Sequence, residues 1–178
     1  MGAPSYLIGV DELSRIGVDT FLRVGTCGGI QKNQKLGDLV ISTGAVRFDG
    51  ASKDLVTPEY PAVADYEVVM ALIQAAEEYT FPYHVGISAS FDTFYTGQGR
   101  PALNNYLPSF KKNVYEDMQM ANVQNFEMEV SSLLTFTNIF GKRGGAVCVI
   151  IANRVTDEFE VTEAMEKKAG LVASRAVS

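Results

Sequence analysis

The sequence predicts an α/β fold, and three observations point to it. Segments with the spacing of amphipathic helices alternate with short apolar runs of strand length along the 178 residues. The apolar run at residues 146–152 is unbroken, as expected for a central parallel strand covered on both faces. A glycine-rich stretch at residues 25–29 follows another apolar run. At this length we expect one domain over residues 1–178, large enough to bury a core.

The first half of the chain is predicted to contain two helices and three strands. Apolar residues recur at near-helical spacing in the first segment, and Gly17 follows as a terminator. The first strand is expected to end in a glycine loop at residues 25–29, and the second in a polar loop that reaches Asp54. The predicted helices cover residues 5–16 and 61–79, and the predicted strands cover residues 20–24, 38–46 and 83–89.

The second half is predicted to add two strands and two long helices. Residues 104–122 combine loop with a short helix, and the strand-like residues 125–129 lead into a helix that reaches Phe140. A turn at residues 142–145 precedes the apolar strand, and the last helix begins at Thr162.

Composition excludes several classes of function. The net charge is −6 and lysine and arginine form no run longer than a pair, which argues against binding nucleic acid. No apolar stretch reaches the length of a membrane span, and residues 1–5 do not begin a signal peptide. Two cysteines, Cys27 and Cys148, and one histidine give no metal-ligand spacing. We therefore expect free thiols, no metal and a cytoplasmic location.

Residues 88–100 carry the most specific chemistry in the chain. Phe94, Gln98 and Arg100 lie close together across one glycine turn after a predicted strand. The aromatic ring offers a stacking face, and the glutamine amide can pair with a ring N–H and an adjacent carbonyl. The guanidinium suits a second carbonyl, more so when negative charge develops on it. Uracil presents this pattern of groups.

Two further groups of residues could bind an anion and a sugar. Arg23 and Thr26 adjoin the glycine stretch, where an oxyanion could bind, although a structural arginine in an ion pair is the more common finding in such turns. Glu127 and Glu129 are two apart, hence on one face of a strand, with Met128 between them. They could accept hydrogen bonds from a sugar diol or could lie at a solvated strand end.

Three polar positions have simpler interpretations. Arg154 follows the apolar strand, where open α/β sheets place ligands, but it could equally belong to a surface loop. His84 is predicted to be structural. Asp92 is predicted to anchor the turn by a hydrogen bond from its side chain to the backbone rather than act as an acid.

Taken together and in order, these segments resemble the uridine phosphorylases of the nucleoside phosphorylase superfamily. The resemblance implies a three-layer α/β/α fold with a mixed central sheet, and it extends from Met1 to about Ala173. The Gln98-Gly99-Arg100 element is its most specific part, because it separates uridine from purine enzymes. The segments that carry it are residues 21–30, 47–52, 60–65, 92–100, 125–129 and 151–154.

The resemblance also implies a reaction and a role for each site residue. The reaction is the reversible phosphorolysis of uridine to uracil and ribose 1-phosphate, with inorganic phosphate as co-substrate and no cofactor or metal. The implied phosphate ligands are Arg23 and Thr26; the uracil ligands are Phe94, Gln98, Arg100, Ile151 and Arg154; the ribose ligands are Glu127, Met128, Glu129 and Thr26. The implied catalytic residues are Arg23, Gln98, Arg100 and Glu129.

The chain departs from the family pattern at its start and at single positions. Met1 aligns inside a Gly-x-Gly-x-Pro-Ser segment, so we expect the fold to lack the first strands of the family, with their Gly-Asp-Pro-x-Arg phosphate motif. Gly99 replaces a frequent glutamate, and Val130 a frequent serine. Family members form homodimers, or hexamers built from dimers, and the same is expected here.

Two other functions remain open at this point. One is a nucleoside-binding protein without catalysis, because half of the phosphate site would be missing. The other is a related phosphorylase that acts on purine nucleosides or on deoxyuridine and thymidine.

Overall fold

The computed structural model describes residues 2–178. Met1, which the sequence aligns with a Gly-x-Gly-x-Pro-Ser segment of the family, lies outside the described residues. Within them, helices and strands alternate along the chain. The helices are α1 Ala3–Arg15, α2 Ala51–Leu55, α3 Tyr66–Glu78, α4 Val114–Met120, α5 Val130–Ile139 and α6 Glu163–Ala176. The strands are β1 Thr20–Gly29, β2 Leu39–Arg47, β3 Ala62–Val63, β4 Tyr83–Ser90, β5 Asn125–Glu127, β6 Arg143–Asn153 and β7 Glu158–Phe159.

The strands form one mixed sheet with helices on both sides, which confirms the predicted fold class. Its order is β3-β2-β4-β5-β1-β6-β7. Strands β1 and β6 run parallel, as do β2 and β4, whereas β5 runs antiparallel to β1. An additional antiparallel pairing of β2 with β6 joins the two sides of the sheet, so that five strands form a closed ring.

Strand β6 is central, as its apolar run predicted. Residues 146–150 are completely buried. The strand begins at Arg143, however, within the predicted turn at residues 142–145, because β1 supplies hydrogen-bonding partners along its whole length.

The predicted glycine loop at residues 25–29 is wrong, because these residues continue β1. They pair in parallel with β6 from Gly25 to Gly29, with one register shift after Cys27. A Cβ atom at Gly25 would lie 2.8 Å from Nη1 of Arg23. The glycine thus makes room for a guanidinium folded back along its own strand.

Local hydrogen bonds explain the other differences from the predicted elements. Helix α3 begins at Tyr66 rather than at residue 61, because Asp65 caps it by accepting a 3.1 Å bond from the backbone N–H of Val68. Helix α2 lies in the region predicted as a polar loop, and the short strands β3 and β7 were not predicted. Helix α6 begins as predicted, with Thr162 as its N-cap.

The largest part of the core lies between the strands β2 and β6 and the helices α3, α5 and α6. Leu39, Ile41, Leu72 and Leu134 are completely buried there. Each such side chain contributes about 1.5–3 kcal/mol through burial, so this cluster fixes the sheet that positions the site. No helix within residues 2–178 is both long enough and apolar enough to cross a membrane.

Candidate active site

One cavity of about 570 Å³ collects the predicted site residues at an edge of the sheet. It opens between α1, the second half of β1, residues 94–100 and the junction of β5 with α5. All of the predicted site residues line it except Arg154: Arg23, Thr26, Phe94, Gln98, Arg100, Glu127, Met128, Glu129 and Ile151. They meet there because β1 and β6 are parallel neighbours, so their carboxyl ends lie at one edge.

Gln98 lies in a tight turn that aims its side chain into the cavity. The residue is only 4 % exposed, yet its amide forms no hydrogen bond with another residue in the described range 2–178. Backbone bonds hold the turn, including 2.9 Å from the N–H of Arg100 to the carbonyl of Tyr95. The amide atoms are open to the cavity rather than sealed in the protein, so they are available to a ligand with complementary groups.

Phe94 and Arg100 complete the group predicted to read a base. The guanidinium of Arg100 lies 5.1 Å from the centre of the Phe94 ring, whose residue is half exposed. No carboxylate within the described residues forms an ion pair with Arg100, so its N–H groups are open to a ligand carbonyl. A flat base stacked on the Phe94 ring would therefore have the N–H donors of Arg100 beside its own edge.

Arg154 does not line the cavity but contacts the backbone of Gln98, which does. Its Nη1 donates a 2.5 Å hydrogen bond to the backbone carbonyl of Gln98, and its guanidinium stacks 4.5 Å from the centre of the Tyr115 ring. Burial, and then the charge of Arg100, lower the pKa of Arg154 to about 10. It stays charged at neutral pH. Arg154 thus contacts the backbone of Gln98, a residue predicted to bind uracil, and its own contact with uracil stays a prediction.

Arg23 is buried in a set of charged and polar contacts. Its Nη2 lies 2.6 Å from Oε2 of Glu129, its Nε lies 3.2 Å from Oε2 of Glu127, and its Nη1 lies 2.8 Å from Sγ of Cys148. Burial alone would lower the pKa of Arg23, but Cys148 and the two glutamates raise it above its usual value. The ion pair that the sequence left open is therefore present, and it faces the cavity.

Glu127 serves as an anchor inside the protein. Its Oε2 accepts hydrogen bonds of 2.7 and 2.8 Å from the backbone N–H groups of Glu129 and Val130, where α5 begins. Its Oε1 accepts a bond from the hydroxyl of Ser90. Burial raises the pKa of Glu127, although these donors and Arg23 act in the opposite direction. Because protein donors occupy both oxygens, its predicted contact with ribose would require a rearrangement.

Glu129 is the more exposed of the two carboxylates, with 11 % of its side chain exposed against 0 % for Glu127. Both of its oxygens also accept bonds within the protein, Oε2 from Arg23 and Oε1 from Gly2, so a sugar would have to displace one of these donors. Glu129 lies at the N-terminus of α5, lines the cavity and accepts a 2.6 Å bond at Oε1 from the backbone N–H of Gly2. Met128 beside it is partly exposed to the same space, and Thr26 faces it from β1. A carboxylate, a thioether and a hydroxyl there could hold the diol and the face of a ribose.

The two cysteines lie together below Arg23. Their thiols are hydrogen-bonded to each other, which lowers the pKa of Cys148, while burial raises the pKa of Cys27 well above its usual value. Both are free thiols, as predicted. No sequence pattern predicts this contact, because the two residues lie far apart in the chain.

His84 and Asp92 lie away from the cavity. Nε2 of His84 is 2.9 Å from Oδ2 of Asp38, which confirms a satisfied structural histidine. Oδ2 of Asp92 accepts a 2.8 Å bond from the backbone N–H of Gly50, a side-chain-to-backbone bond of the predicted kind that ties its turn to the start of α2. Among the lining residues that sequence reasoning missed are Tyr6, Phe159 and Glu166.

Comparisons with known proteins agree with this geometry. The profile of the Phosphorylase superfamily matches residues 3–178. A uridine phosphorylase of Thermococcus kodakarensis is 55 % identical over 99 % of this chain and 63 % of its own length. The uridine phosphorylase of Escherichia coli is 42 % identical over 94 % of this chain and 66 % of its own length. A guanosine phosphorylase of Halorubrum lacusprofundi is 39 % identical over 87 % of this chain and 59 % of its own length.

The chain thus spans a little under two thirds of the length of the curated relatives that it matches. The family profile nevertheless covers nearly all of it, including every segment that lines the cavity. The chain therefore belongs to the phosphorylase superfamily.

Proposed function

We propose that this protein catalyses the reversible phosphorolysis of uridine. The observation that carries the proposal is the amide of Gln98, which faces the cavity beside Phe94 and Arg100 without a hydrogen-bond partner among the described residues. An amide and a guanidinium in this order match the N–H and the two carbonyls of uracil. Relatives named uridine phosphorylase at 41–55 % identity support the same substrate.

In the proposed reaction a phosphate oxygen attacks C1′ of the ribose while the bond from C1′ to N1 of uracil breaks. The bonding electrons leave with uracil, whose carbonyl oxygens then gain negative charge. Arg100 and Gln98 would stabilise that charge, and Phe94 would hold the ring in place. Glu129 would hold the ribose diol, so that C1′ stays in line with the anion beside Arg23 and Thr26. The co-substrate is inorganic phosphate, and the proposed reaction requires no cofactor.

We also propose a cytoplasmic location and assembly as a homodimer or hexamer. The location rests on the two free thiols, and the assembly rests on the resemblance to the family. The products, uracil and ribose 1-phosphate, follow from the reaction.

The direct test is phosphate-dependent release of uracil from uridine by the full protein. We expect the variant Gln98→Ala to lower kcat/KM for uridine about 10- to 100-fold, because a hydrogen bond to a buried polar partner is lost. The matched control is Gln74→Ala, which removes an exposed amide on α3. Equal kinetics for Gln98→Ala and wild type would contradict the assignment of the base site.

The same assay separates two other functions. Arg23 is already paired with two glutamates, an observation that favours a nucleoside-binding protein without catalysis. Binding of uridine in calorimetry without any turnover at saturating phosphate would support that function. Faster turnover of guanosine than of uridine would instead support a purine enzyme, in line with the guanosine phosphorylase relative.

A further inference from the structure

Tyr6 connects the core to the cavity from the first turns of α1. Its ring packs against the apolar cluster of Val10, Phe21, Leu133 and Phe136. The residue also lines the cavity, and its hydroxyl lies within electrostatic reach of Arg23 and of both site glutamates. The ring thus fixes the direction in which the hydroxyl points.

The hydroxyl of Tyr6 has no hydrogen-bond partner among residues 2–178. The oxygen is not sealed inside the protein, so a ligand in the cavity can reach it. Burial raises the pKa of Tyr6 to about 12, against the opposite effect of Arg23. The hydroxyl therefore keeps its proton at physiological pH, so it can donate a hydrogen bond to an acceptor in the cavity or accept one from a ligand donor.

The charges around the hydroxyl favour the role of a donor to an acceptor in the cavity. Arg23 is the one arginine on β1, and it shares its charge with Glu127 and Glu129. With both carboxylates ionised, these three groups sum to −1. A phosphate placed beside Arg23 thus needs further neutral donors, since the guanidinium by itself does not leave a net positive charge. Within the described lining, Tyr6 and Thr26 supply hydroxyls at this side of the cavity.

We propose that Tyr6 is a phosphate ligand, whose hydroxyl donates a hydrogen bond to an oxygen of the bound anion beside Arg23 and Thr26. This assignment rests on the proposed phosphorolysis, because it names a residue that would hold the co-substrate. It also gives α1 a function beyond covering the core. The ring holds the hydroxyl in place, so little side-chain entropy is lost when the anion binds.

The test compares Tyr6→Phe with wild type in the full protein. The variant removes one oxygen and keeps the ring that packs against Phe21. We expect the KM for phosphate to rise about tenfold or more, since a hydrogen bond to a charged group is lost, and the KM for uridine to stay within about twofold. The matched control is Tyr66→Phe, because the hydroxyl of Tyr66 bonds Glu67 on the exposed surface of α3. It should leave both constants unchanged.

A second measurement keeps this inference separate from the proposed reaction. Inorganic phosphate is titrated into each protein by calorimetry in the absence of nucleoside, and Tyr6→Phe should bind it about tenfold more weakly. If wild type binds phosphate but does not cleave uridine, and the variant binds phosphate more weakly, the reaction is refuted and the ligand role of Tyr6 stands. An unchanged phosphate affinity overturns the role of Tyr6, as does a rise confined to the KM for uridine, which would assign the hydroxyl to the sugar.

Discussion

Arg23 and Glu129 form a buried ion pair on the wall of the cavity, with 2.6 Å between Nη2 and Oε2. The two residues are predicted to hold different parts of the substrate pair, phosphate and ribose. Their contact links the two subsites directly. A ligand that withdraws Glu129 towards a sugar diol also frees N–H groups of Arg23 for an anion. The pair therefore predicts coupling between nucleoside and phosphate binding.

We expect Glu129→Gln to weaken uridine use and this coupling together. The amide keeps one acceptor for the diol but loses the charge, so kcat/KM for uridine should fall about 10- to 100-fold. The affinity for phosphate should then no longer depend on a bound nucleoside. Steady-state kinetics at several phosphate concentrations measure both effects.

The control for this variant is Glu12→Gln, an exposed carboxylate on α1 outside the cavity. It should behave as wild type. If Glu129→Gln lowers the kcat/KM for uridine no more than Glu12→Gln does, Glu129 does not hold the ribose.

Gly99 shapes the turn that presents Gln98. Its φ is +71°, and a Cβ atom there would lie 2.8 Å from Cγ1 of Val114 and 3.2 Å from the carbonyl of Lys111. We expect Gly99→Ala to cost roughly 1–3 kcal/mol of unfolding free energy and to raise the KM for uridine, because the turn must shift. Urea denaturation and kinetics give the two values.

Gly9→Ala is the matched control for this change. Gly9 lies inside α1, and a Cβ atom there meets nothing within 4 Å. Alanine should stabilise the helix by about 1 kcal/mol. A Gly99→Ala variant that is as stable as wild type would show that the turn adapts without strain.

Local patterns in the sequence predicted the parts of the fold that depend on neighbouring residues. The strands β2, β4 and β6 were expected from apolar runs of strand length, and α6 from Thr162 followed by helix formers. Most predicted site residues meet in one cavity, because the carboxyl ends of neighbouring parallel strands lie close together regardless of the length of the loops that connect them.

What the sequence did not predict depends on distant partners. Residues 25–29 look like a loop by their glycines, yet they form a strand because β6 pairs with them. The positive φ of Gly99, which stands where the family often has glutamate, also depends on contacts that the sequence does not show. The contact between Arg23 and Cys148 and the bond from Arg154 to Gln98 join segments far apart in the chain, so no periodicity reports them.

Arg154 should act on substrate binding through Gln98. The variant Arg154→Met removes the guanidinium. It thereby loses the hydrogen bond to the carbonyl of Gln98 and the stacking contact with the ring of Tyr115. We expect the KM for uridine to rise about tenfold, with a smaller change in the KM for phosphate. Arg154→Lys should restore little, because an ammonium group cannot both stack on the ring and reach the carbonyl in the same geometry.

Arg175→Met provides the comparison, since Arg175 forms an exposed ion pair with Glu78 on the far helices. Exposed pairs of this kind contribute about 0–1 kcal/mol, so kinetics should not change. Equal KM values for uridine in Arg154→Met and wild type would show that Arg154 does not position Gln98 for substrate binding.

Glu127 predicts a pH dependence of stability. Burial is the largest cause that raises its pKa above the usual value of 4.5 in the folded protein. Below about pH 4.5 the carboxyl is protonated in both the folded and the unfolded state. As the pH rises through the window up to the raised pKa, the unfolded chain releases its proton first, and the contribution of this group to stability is lost.

Glu127→Gln should remove that loss, because the amide does not ionise. We expect the unfolding free energy of the variant, relative to wild type, to increase as the pH is raised from about 4.5, the lower limit of this window, and then to level off. Urea denaturation at several pH values measures the difference, with Glu12→Gln as the control. A difference that falls with rising pH would mean that the bonds from Arg23 and the start of α5 outweigh burial, so that the carboxylate stabilises the folded protein as an anion.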